Sequence, residues 1–232
     1  MELGITLVCP VCGGSGLVQR DVLWPGLIAE WGLNSEEAGR ISRQQGECCL
    51  SCGSNLRSRT LAGGLLECLN RRESLQALTQ TPPLPAVRLL EINQAGTLTP
   101  YLRRFPNYCF AAYPELDMQH MDLPAESFDF IIHSDTLEHL PDPVAGLREC
   151  RRVLSPAGCL LLTIPVVPTR LTRRRQGLPP SYHGNPAEKP ADQIVWSEYG
   201  ADFYLDFIAA GWTKISCFTL GTPDSLAVIA NK

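Results

Sequence analysis

The chain from residue 86 onward alternates short apolar runs with stretches in which apolar residues recur at helical spacing. Continuous apolar runs are typical of parallel strands that are buried on both faces, and the 3.6-residue spacing indicates amphipathic helices. The pattern predicts strands at 87–92, 108–113, 128–134, 159–164, 212–220 and 226–230, and helices at 97–105, 143–154 and 199–210. Strands that alternate with helices indicate an α/β domain with a mostly parallel sheet. Only a turn separates the last two strands, so we expect an antiparallel hairpin at the edge of that sheet.

The segment before this domain has a different pattern. Leucines at helical spacing between residues 58 and 79 predict a helix or a helix pair, which Gly63 and Gly64 weaken in the middle. Three prolines in residues 81–85 then indicate a stiff linker. We therefore predict a module at 1–57, a helical connector with its linker at 58–85, and the α/β domain at 86–232.

Composition narrows the class of protein. The 232 residues are 44% hydrophobic, which is enough for a core and excludes global disorder. A net charge of −4 makes nucleic acid an unlikely partner and disfavours binding to acidic membranes through bulk charge. No apolar run is long enough for a transmembrane helix, and the apolar start of the chain carries no basic residue, unlike a secretory signal. We expect a cytoplasmic protein.

Ten cysteines are many for such a protein, and two motifs near the N-terminus share one form. They are Cys9-Pro-Val-Cys12-Gly and Cys49-Leu-Ser-Cys52-Gly. Two Cys-x-x-Cys knuckles can form the tetrahedral four-thiolate site that structural zinc prefers. Thirty-six residues separate the knuckles, more than in the compact zinc pattern, so this spacer must fold back. We expect its Trp24 and Trp31 to cover the site.

Other interpretations of these cysteines remain open. Cys48 adjoins Cys49 and could replace it as a ligand, and the four could also be ordinary thiols or redox pairs. Catalytic zinc usually has a histidine or carboxylate ligand, and no histidine precedes residue 120. The metal is therefore predicted to be structural, with the module available as a docking surface for a protein partner.

Polar residues follow the first three predicted strands. They include Asn93 after the first, Asp117 after the second, and Ser134 at the end of the third. In open α/β sheets the ligand binds beyond the carboxyl ends of the strands. The sequence therefore predicts a ligand site at this edge.

Two stretches carry a family resemblance. Residues 121–139, which end in Leu137-Glu138-His139, and residues 147–158, which contain Arg-Val-Leu and end in Ser-Pro-Ala-Gly, resemble the central motifs of class I S-adenosylmethionine-dependent methyltransferases. The resemblance extends over about 87–229. It implies a Rossmann-like sheet, S-adenosylmethionine as cofactor, and methyl transfer as the activity.

The resemblance also implies roles for individual residues. The loop after the first strand would hold the methionine part of the cofactor, Asp117 would accept a hydrogen bond from the adenine amino group, and Met118 would pack on the ring. His133 would offer its backbone carbonyl to the cofactor's amino group. The residues placed around the cofactor are Glu91, Ile92, Asn93, Gly96, Tyr113, Asp117, Met118, His133 and Ser134.

Two positions depart from the family pattern. Asn93 and Ala95 stand where the first loop normally has glycines, although asparagine tolerates a positive φ. Ala112 stands where an acidic residue usually binds the ribose hydroxyls. These departures favour the alternative of a catalytically degenerate methyltransferase fold that acts as a zinc-stabilised binding or scaffold protein.

A long insert at 165–195 leaves the same edge of the sheet. It resembles a substrate loop with a Tyr-His-Gly sequence found in some of these enzymes, which implies substrate roles for Tyr182 and His183. Arg170 could bind a carboxylate or phosphate of the substrate, although a solvated basic loop explains the arginines equally well. His183 and His139 are the candidate general bases because histidine titrates near neutral pH.

The preferred hypothesis is a methyltransferase acting on an oxygen, nitrogen or carbon nucleophile of a small molecule, for which a sugar or another secondary metabolite is considered. A third class is modification of a macromolecule that the zinc module recruits. The acidic net charge disfavours RNA as that macromolecule.

Overall fold

The computed structural model describes residues 8–182 and 191–232. The strands are β1 (Leu17–Gln19), β2 (Glu47–Cys49), β3 (Arg88–Ile92), β4 (Asn107–Ala111), β5 (Phe128–Ser134), β6 (Leu154–Thr163), β7 (Arg173–Arg174), β8 (Ser197–Glu198), β9 (Lys214–Leu220) and β10 (Thr222–Asn231). The helices are α1 (Pro25–Glu30), α2 (Ser35–Gly46), α3 (Leu56–Cys68), α4 (Leu75–Gln80), α5 (Thr99–Leu102), α6 (Pro143–Val153) and α7 (Tyr204–Ala209). None of these helices is long and apolar enough to cross a membrane.

Six strands form the central sheet in the order β4-β3-β5-β6-β10-β9. The pairs among β4, β3, β5 and β6 are parallel, whereas β10 is antiparallel to both β6 and β9. The predicted Rossmann-like α/β architecture, with a C-terminal antiparallel hairpin at one edge, is confirmed. The strand predicted at 128–134 has the same bounds as β5.

Side chains alternate between the two faces of this sheet. On one face Leu90 and Ile131 belong to a core that includes Leu147 of α6 and Phe207 of α7. On the other face, a second core contains the side chains of α3, α4 and α5. The sheet therefore lies between two layers of helices, which leaves the ends of its strands as the place for a site.

The predicted connector at 58–79 forms two helices, and α3 packs directly on the sheet. A Cβ atom on Gly63 would come within 2.3 Å of the Phe218 ring, so this glycine allows α3 to approach β9 closely. Cys9 and Cys49 belong to the same core as Leu61 of α3 and Leu89 of β3. The N-terminal residues thus share a core with the sheet, and α3 forms part of its helical layer.

Two predicted helices are shorter than expected. Residues 97–105 form a 3₁₀ turn at Gly96–Leu98 followed by α5, and the helix predicted at 199–210 is reduced to α7. The start of the latter prediction instead forms a loop, in which the Ala201 amide donates to the Arg170 carbonyl at 2.7 Å. Helices α1 and α2, which were not predicted, occupy the spacer between the knuckles.

Candidate functional site

A cleft of about 920 Å³ opens at the carboxyl ends of the parallel strands. Its volume lies in the range of roughly 300–1,000 Å³ that is common for small-molecule sites. One side, which we call the sheet wall, consists of residues that follow β3, β4 and β5. Of the predicted cofactor residues, those lining the cleft are Ile92, Asn93, Tyr113, Asp117, Met118 and Ser134.

Asn93 organises the end of β3. Its φ of 56° confirms the expected positive φ at this position. Its side-chain oxygen accepts from the Tyr113 amide at 3.1 Å, and its side-chain nitrogen donates to the Thr136 hydroxyl at 3.3 Å. One asparagine therefore ties together the loops that follow three neighbouring strands.

Asp117 and Met118 lie in the turn that follows β4. The Oδ1 atom of Asp117 accepts from the Gln119 amide at 2.8 Å and from its side chain at 3.2 Å, which fixes the carboxylate at the cleft. Met118 is buried in the core and also lines the cleft. The pair presents an acceptor beside an apolar surface, a combination that suits the edge and face of a purine.

Glu91 and Gly96 lie behind the cleft lining. The buried Glu91 carboxylate accepts hydrogen bonds from the Ala95 amide, the Thr99 hydroxyl and the Tyr108 hydroxyl at 2.8, 2.6 and 2.5 Å. A Cβ atom on Gly96 would come within 2.4 Å of the Ser58 hydroxyl, so this residue packs against α3. Both residues hold the loop after β3 in place, Glu91 through its hydrogen bonds and Gly96 through its packing on α3.

His133 also lies outside the lining of the cleft. Its imidazole ring is completely buried, and neither ring nitrogen has a hydrogen-bond partner within 8–182 and 191–232. Burial lowers the pKa of His133 to about 3, so the ring is neutral at physiological pH. The side chain belongs to the core, which leaves only the backbone for the role that the resemblance implies.

Residues 22–45, between the two cysteine knuckles, form the other side of the cleft, which we call the helical wall. Trp24, Leu27, Trp31 and Ile41 line the cleft from this side. The expectation that the two tryptophans cover the cysteines is therefore wrong. Sequence reasoning also missed Leu27 and Ile41, because α1 has six residues and α2 is mostly polar.

Arg170 holds the helical wall and lies outside the lining of the cleft. Its Nε donates to Oε1 of Glu37 at 2.6 Å, and its Nη2 contacts the other carboxylate oxygen. Glu37 is buried, and the hydrogen bonds from Arg170 lower its pKa to about 2. Glu37 also accepts from the Asn34 amide at 2.9 Å and completes the capping box of α2.

Arg57 connects the helical wall to the sheet wall through a hydrogen bond to one and an ion pair with the other. The buried Arg57, at the start of α3, donates to Oδ2 of Asp135 at 2.5 Å and to the Gln44 side chain at 3.1 Å. Arg57 and Asp135 both line the cleft. Sequence reasoning did not identify this pair because 78 residues separate its members.

His139 and Tyr182 line the cleft, whereas His183 lies outside the described residues. Nδ1 of His139 is 2.9 Å from the Ile194 carbonyl oxygen. Because a carbonyl oxygen only accepts, this contact places the proton on Nδ1 and leaves Nε2 as an acceptor. Burial lowers the pKa of His139, which keeps the ring neutral at neutral pH. Its neighbour Glu138 is buried, and burial together with the charge of Asp135 raises its pKa.

The four knuckle cysteines meet at one point. Their sulfur atoms lie within 4.8 Å of one another, with Cys9–Cys52 at 3.8 Å and Cys12–Cys49 at 3.7 Å. Tetrahedral zinc with bonds of about 2.3 Å requires sulfurs roughly 3.8 Å apart. These four thiols therefore fit the ion.

Two further features bear on the cysteine cluster. The Gly14 amide donates to the Cys12 sulfur at 3.3 Å, as in a knuckle that stabilises a thiolate. The Cys48 sulfur, 4.0 Å from the Gln45 carbonyl oxygen, is not part of the cluster. The geometry thus favours Cys49 over Cys48 as the fourth ligand.

Part of the chain is similar to known proteins. Residues 96–162 match the family model described as a methyltransferase domain. A ubiquinone biosynthesis O-methyltransferase of Haemophilus ducreyi is 37% identical over 49 residues, which are 21% of each protein. One of Xanthomonas oryzae pv. oryzae is 49% identical over 45 residues, 18% of this chain and 19% of the relative.

A solved S-adenosylmethionine-dependent methyltransferase from Mesorhizobium loti is 16% identical, with a TM-score of 0.39, over 68% of this chain and 95% of that one. The chain spans only about a fifth of the length of the curated relatives it matches. Those matches therefore concern one segment of the chain.

Proposed function

We propose that the chain is an S-adenosylmethionine-dependent methyltransferase whose cofactor binds in the cleft. The observation that carries this proposal is the convergence of Asn93, Asp117 and Ser134, from three strand ends, on one cleft. The match to a methyltransferase domain begins three residues after Asn93 and includes both of the others. When bound, the cofactor supplies a sulfonium methyl group to a nucleophile.

The residues of the cleft suit this cofactor. Asp117 provides an acceptor for the adenine amino group, and Met118 provides an apolar surface for the ring. Ala112 stands where the family usually has a carboxylate, and we assign the ring of the next residue, Tyr113, as the contact for the ribose. The Asn93 side chain is engaged by Tyr113 and Thr136, so we assign it to shaping the loop.

His139 is the residue we assign as general base for an acceptor that must lose a proton. Its Nδ1–H is held by Ile194, so Nε2 can take that proton. Its lowered pKa keeps this nitrogen unprotonated at neutral pH. The chain's other contribution to the reaction is to position the reactants and exclude water.

We also propose that Cys9, Cys12, Cys49 and Cys52 bind one structural zinc ion. Sulfur spacing supports this proposal, and so does the composition of the cluster, to which the described part of the chain contributes thiols alone, since histidine and carboxylate are common in catalytic zinc sites. Metal analysis of the purified chain should find one equivalent of zinc. A folded sample without bound metal would contradict the assignment.

Calorimetric titration with S-adenosylmethionine tests the assignment of the cleft. The wild-type chain should bind, and Asp117→Ala should weaken binding by about 10- to 100-fold, because a hydrogen bond to a charged group contributes roughly 1.5–3 kcal/mol. Glu67→Ala removes an exposed carboxylate on α3 and should leave the affinity unchanged. Folded wild-type protein that does not bind the cofactor would overturn the enzyme assignment and favour the degenerate scaffold.

A further inference from the structure

A second, smaller cavity of about 170 Å³ adjoins the cleft. Trp31, Ile41 and Pro165 line both spaces, so these three side chains form the boundary between them. A molecule that occupies the smaller cavity therefore lies beside whatever occupies the cleft.

The surface of this cavity is mainly apolar. Leu33 comes from the helical wall, Val167 from the segment after β6, and Val195 from the end of the long insert. Aliphatic side chains of this kind offer dispersion contacts but no hydrogen bonds to a guest. The cavity thus favours an apolar group, which needs no hydrogen bonds.

The buried polar side chains along the cavity already have protein partners. These pairs are Ser181 with Glu30 at 3.5 Å, Ser197 with Arg174, and the Tyr199 hydroxyl with Asp206 at 2.9 Å. Three charged residues also line the cavity. The guanidinium of Arg170 is held by Glu37, and Arg173 and Glu198 pair with each other at 3.9 Å. A sugar, whose hydroxyl groups lose their bonds to water on burial, would find few replacements here.

The cavity has the size of one aromatic ring. A cavity of about 150 Å³ lined by aliphatic and aromatic side chains stays dry and binds benzene. Burial of such a ring removes its apolar surface from water, which favours binding.

We propose that this cavity binds the ring of the methyl acceptor, and that the acceptor is a small aromatic molecule. The hydroxyl or amine that receives the methyl group would point into the cleft, where the two spaces meet at Trp31, Ile41 and Pro165, so that it can contact the cofactor's methyl group directly. This inference rests on the proposed methyltransferase function. It replaces a sugar with an aromatic compound as the favoured acceptor.

The test measures binding of 4-methylphenol and of methyl glucoside to the full chain, with and without S-adenosylhomocysteine, by ligand-detected NMR. Val167→Phe fills the cavity and should weaken 4-methylphenol binding at least tenfold, while S-adenosylmethionine affinity stays within twofold. Ile208→Phe makes the same kind of change on the exposed surface of α7 and should have no effect. If Val167→Phe does not fold, Val167→Leu gives a smaller filling and a smaller loss in the same direction.

The outcomes separate the two proposals. Binding of S-adenosylmethionine without binding of 4-methylphenol, or a preference for methyl glucoside, would overturn the aromatic acceptor and leave the methyltransferase standing. Unchanged 4-methylphenol affinity in a folded Val167→Phe variant would overturn the assigned cavity. Failure of S-adenosylmethionine to bind would instead remove the proposed function, and the acceptor assignment with it.

Discussion

The two walls of the cleft are built in different ways. The sheet wall consists of short loops that follow buried strands, and its residues lie close together because neighbouring parallel strands end at one edge. The helical wall consists of two short helices with few buried residues, α2 being held to the sheet domain by ion pairs. Glu37 meets Arg170 and Arg43 meets Asp224, across 133 and 181 residues of sequence.

The two walls also carry different residues and depend on different contacts. The sheet wall carries the groups that we assign to the cofactor, and its geometry depends on the core of the domain. The helical wall carries Trp31 and Ile41, which face both cavities, and its position depends on contacts at its two ends. Substitutions in the two regions should therefore have different effects on stability and on ligand affinity.

The largest effect is expected from Cys49→Ser, which removes a ligand from the site that anchors both ends of the helical wall. This variant should lose zinc, unfold at a clearly lower temperature and lose affinity for S-adenosylmethionine, because binding of structural zinc in small modules contributes on the order of 10 kcal/mol to folding. The measurements are metal content, thermal unfolding and calorimetry.

Cys48→Ser is the matched control, since this buried sulfur lies next in sequence but outside the cluster. It should retain one equivalent of zinc and bind the cofactor as the wild type does. Loss of zinc from Cys48→Ser, with zinc retained by Cys49→Ser, would reverse the ligand assignment.

An intermediate effect is expected from Glu37→Gln, which breaks the ion pair with Arg170 but keeps an oxygen for the cap of α2. Leaving a buried charge without its partner costs roughly 3–5 kcal/mol. Arg170 is more than a third exposed, and water therefore reduces the cost to about 1–2 kcal/mol. Urea unfolding should show this loss, and the cofactor should bind more weakly.

Glu36→Gln changes the adjacent carboxylate, which forms an exposed pair with Arg40 at 3.1 Å. Its effect on the free energy of unfolding should stay below about 0.5 kcal/mol. Equal losses from the two substitutions would show that the Arg170 contact does not hold the helical wall.

The smallest effect concerns the core beneath the sheet wall and depends on pH. The pKa of His133 is about 3 in the folded chain and near 6.5 when unfolded. Between these values the unfolded chain binds a proton that the folded chain does not, so the free energy of unfolding falls as the pH decreases below 6.5. His133→Leu should remove this contribution, which is at most about 1.4 kcal/mol per pH unit.

Urea unfolding at pH 7.5, 6.5 and 5.5 measures that slope. Ile132→Leu is the control, since it changes the buried neighbour on β5 without removing a titratable group, and it should keep the wild-type slope. Affinity for the cofactor at pH 7.5 should be similar in both variants. If His133→Leu kept the full slope, another group would be responsible for it.

The sequence predicted the sheet wall better than the helical wall, for a physical reason. Buried parallel strands leave a continuous apolar run, as in 128–134, and the polar residues after them mark the site. Asn93 was identified because it is a polar residue directly after the first apolar run, and it tolerates the positive φ found there. The helical wall leaves no comparable signal, since its charged side chains find their partners only in the folded chain. The sequence could not show that Glu37 holds the Arg170 guanidinium, because the two residues are 133 positions apart.

The meeting of the two knuckles makes the helical wall a closed loop. The sulfurs of Cys12 and Cys49 lie 3.7 Å apart, with thirty-six residues between them. With the proposed zinc ion bound, this loop stays closed for as long as the chain is folded. A single protease cut within residues 22–45 would accordingly leave two fragments joined at the cysteines as well as through their shared core, and a chelator would remove the first of these connections.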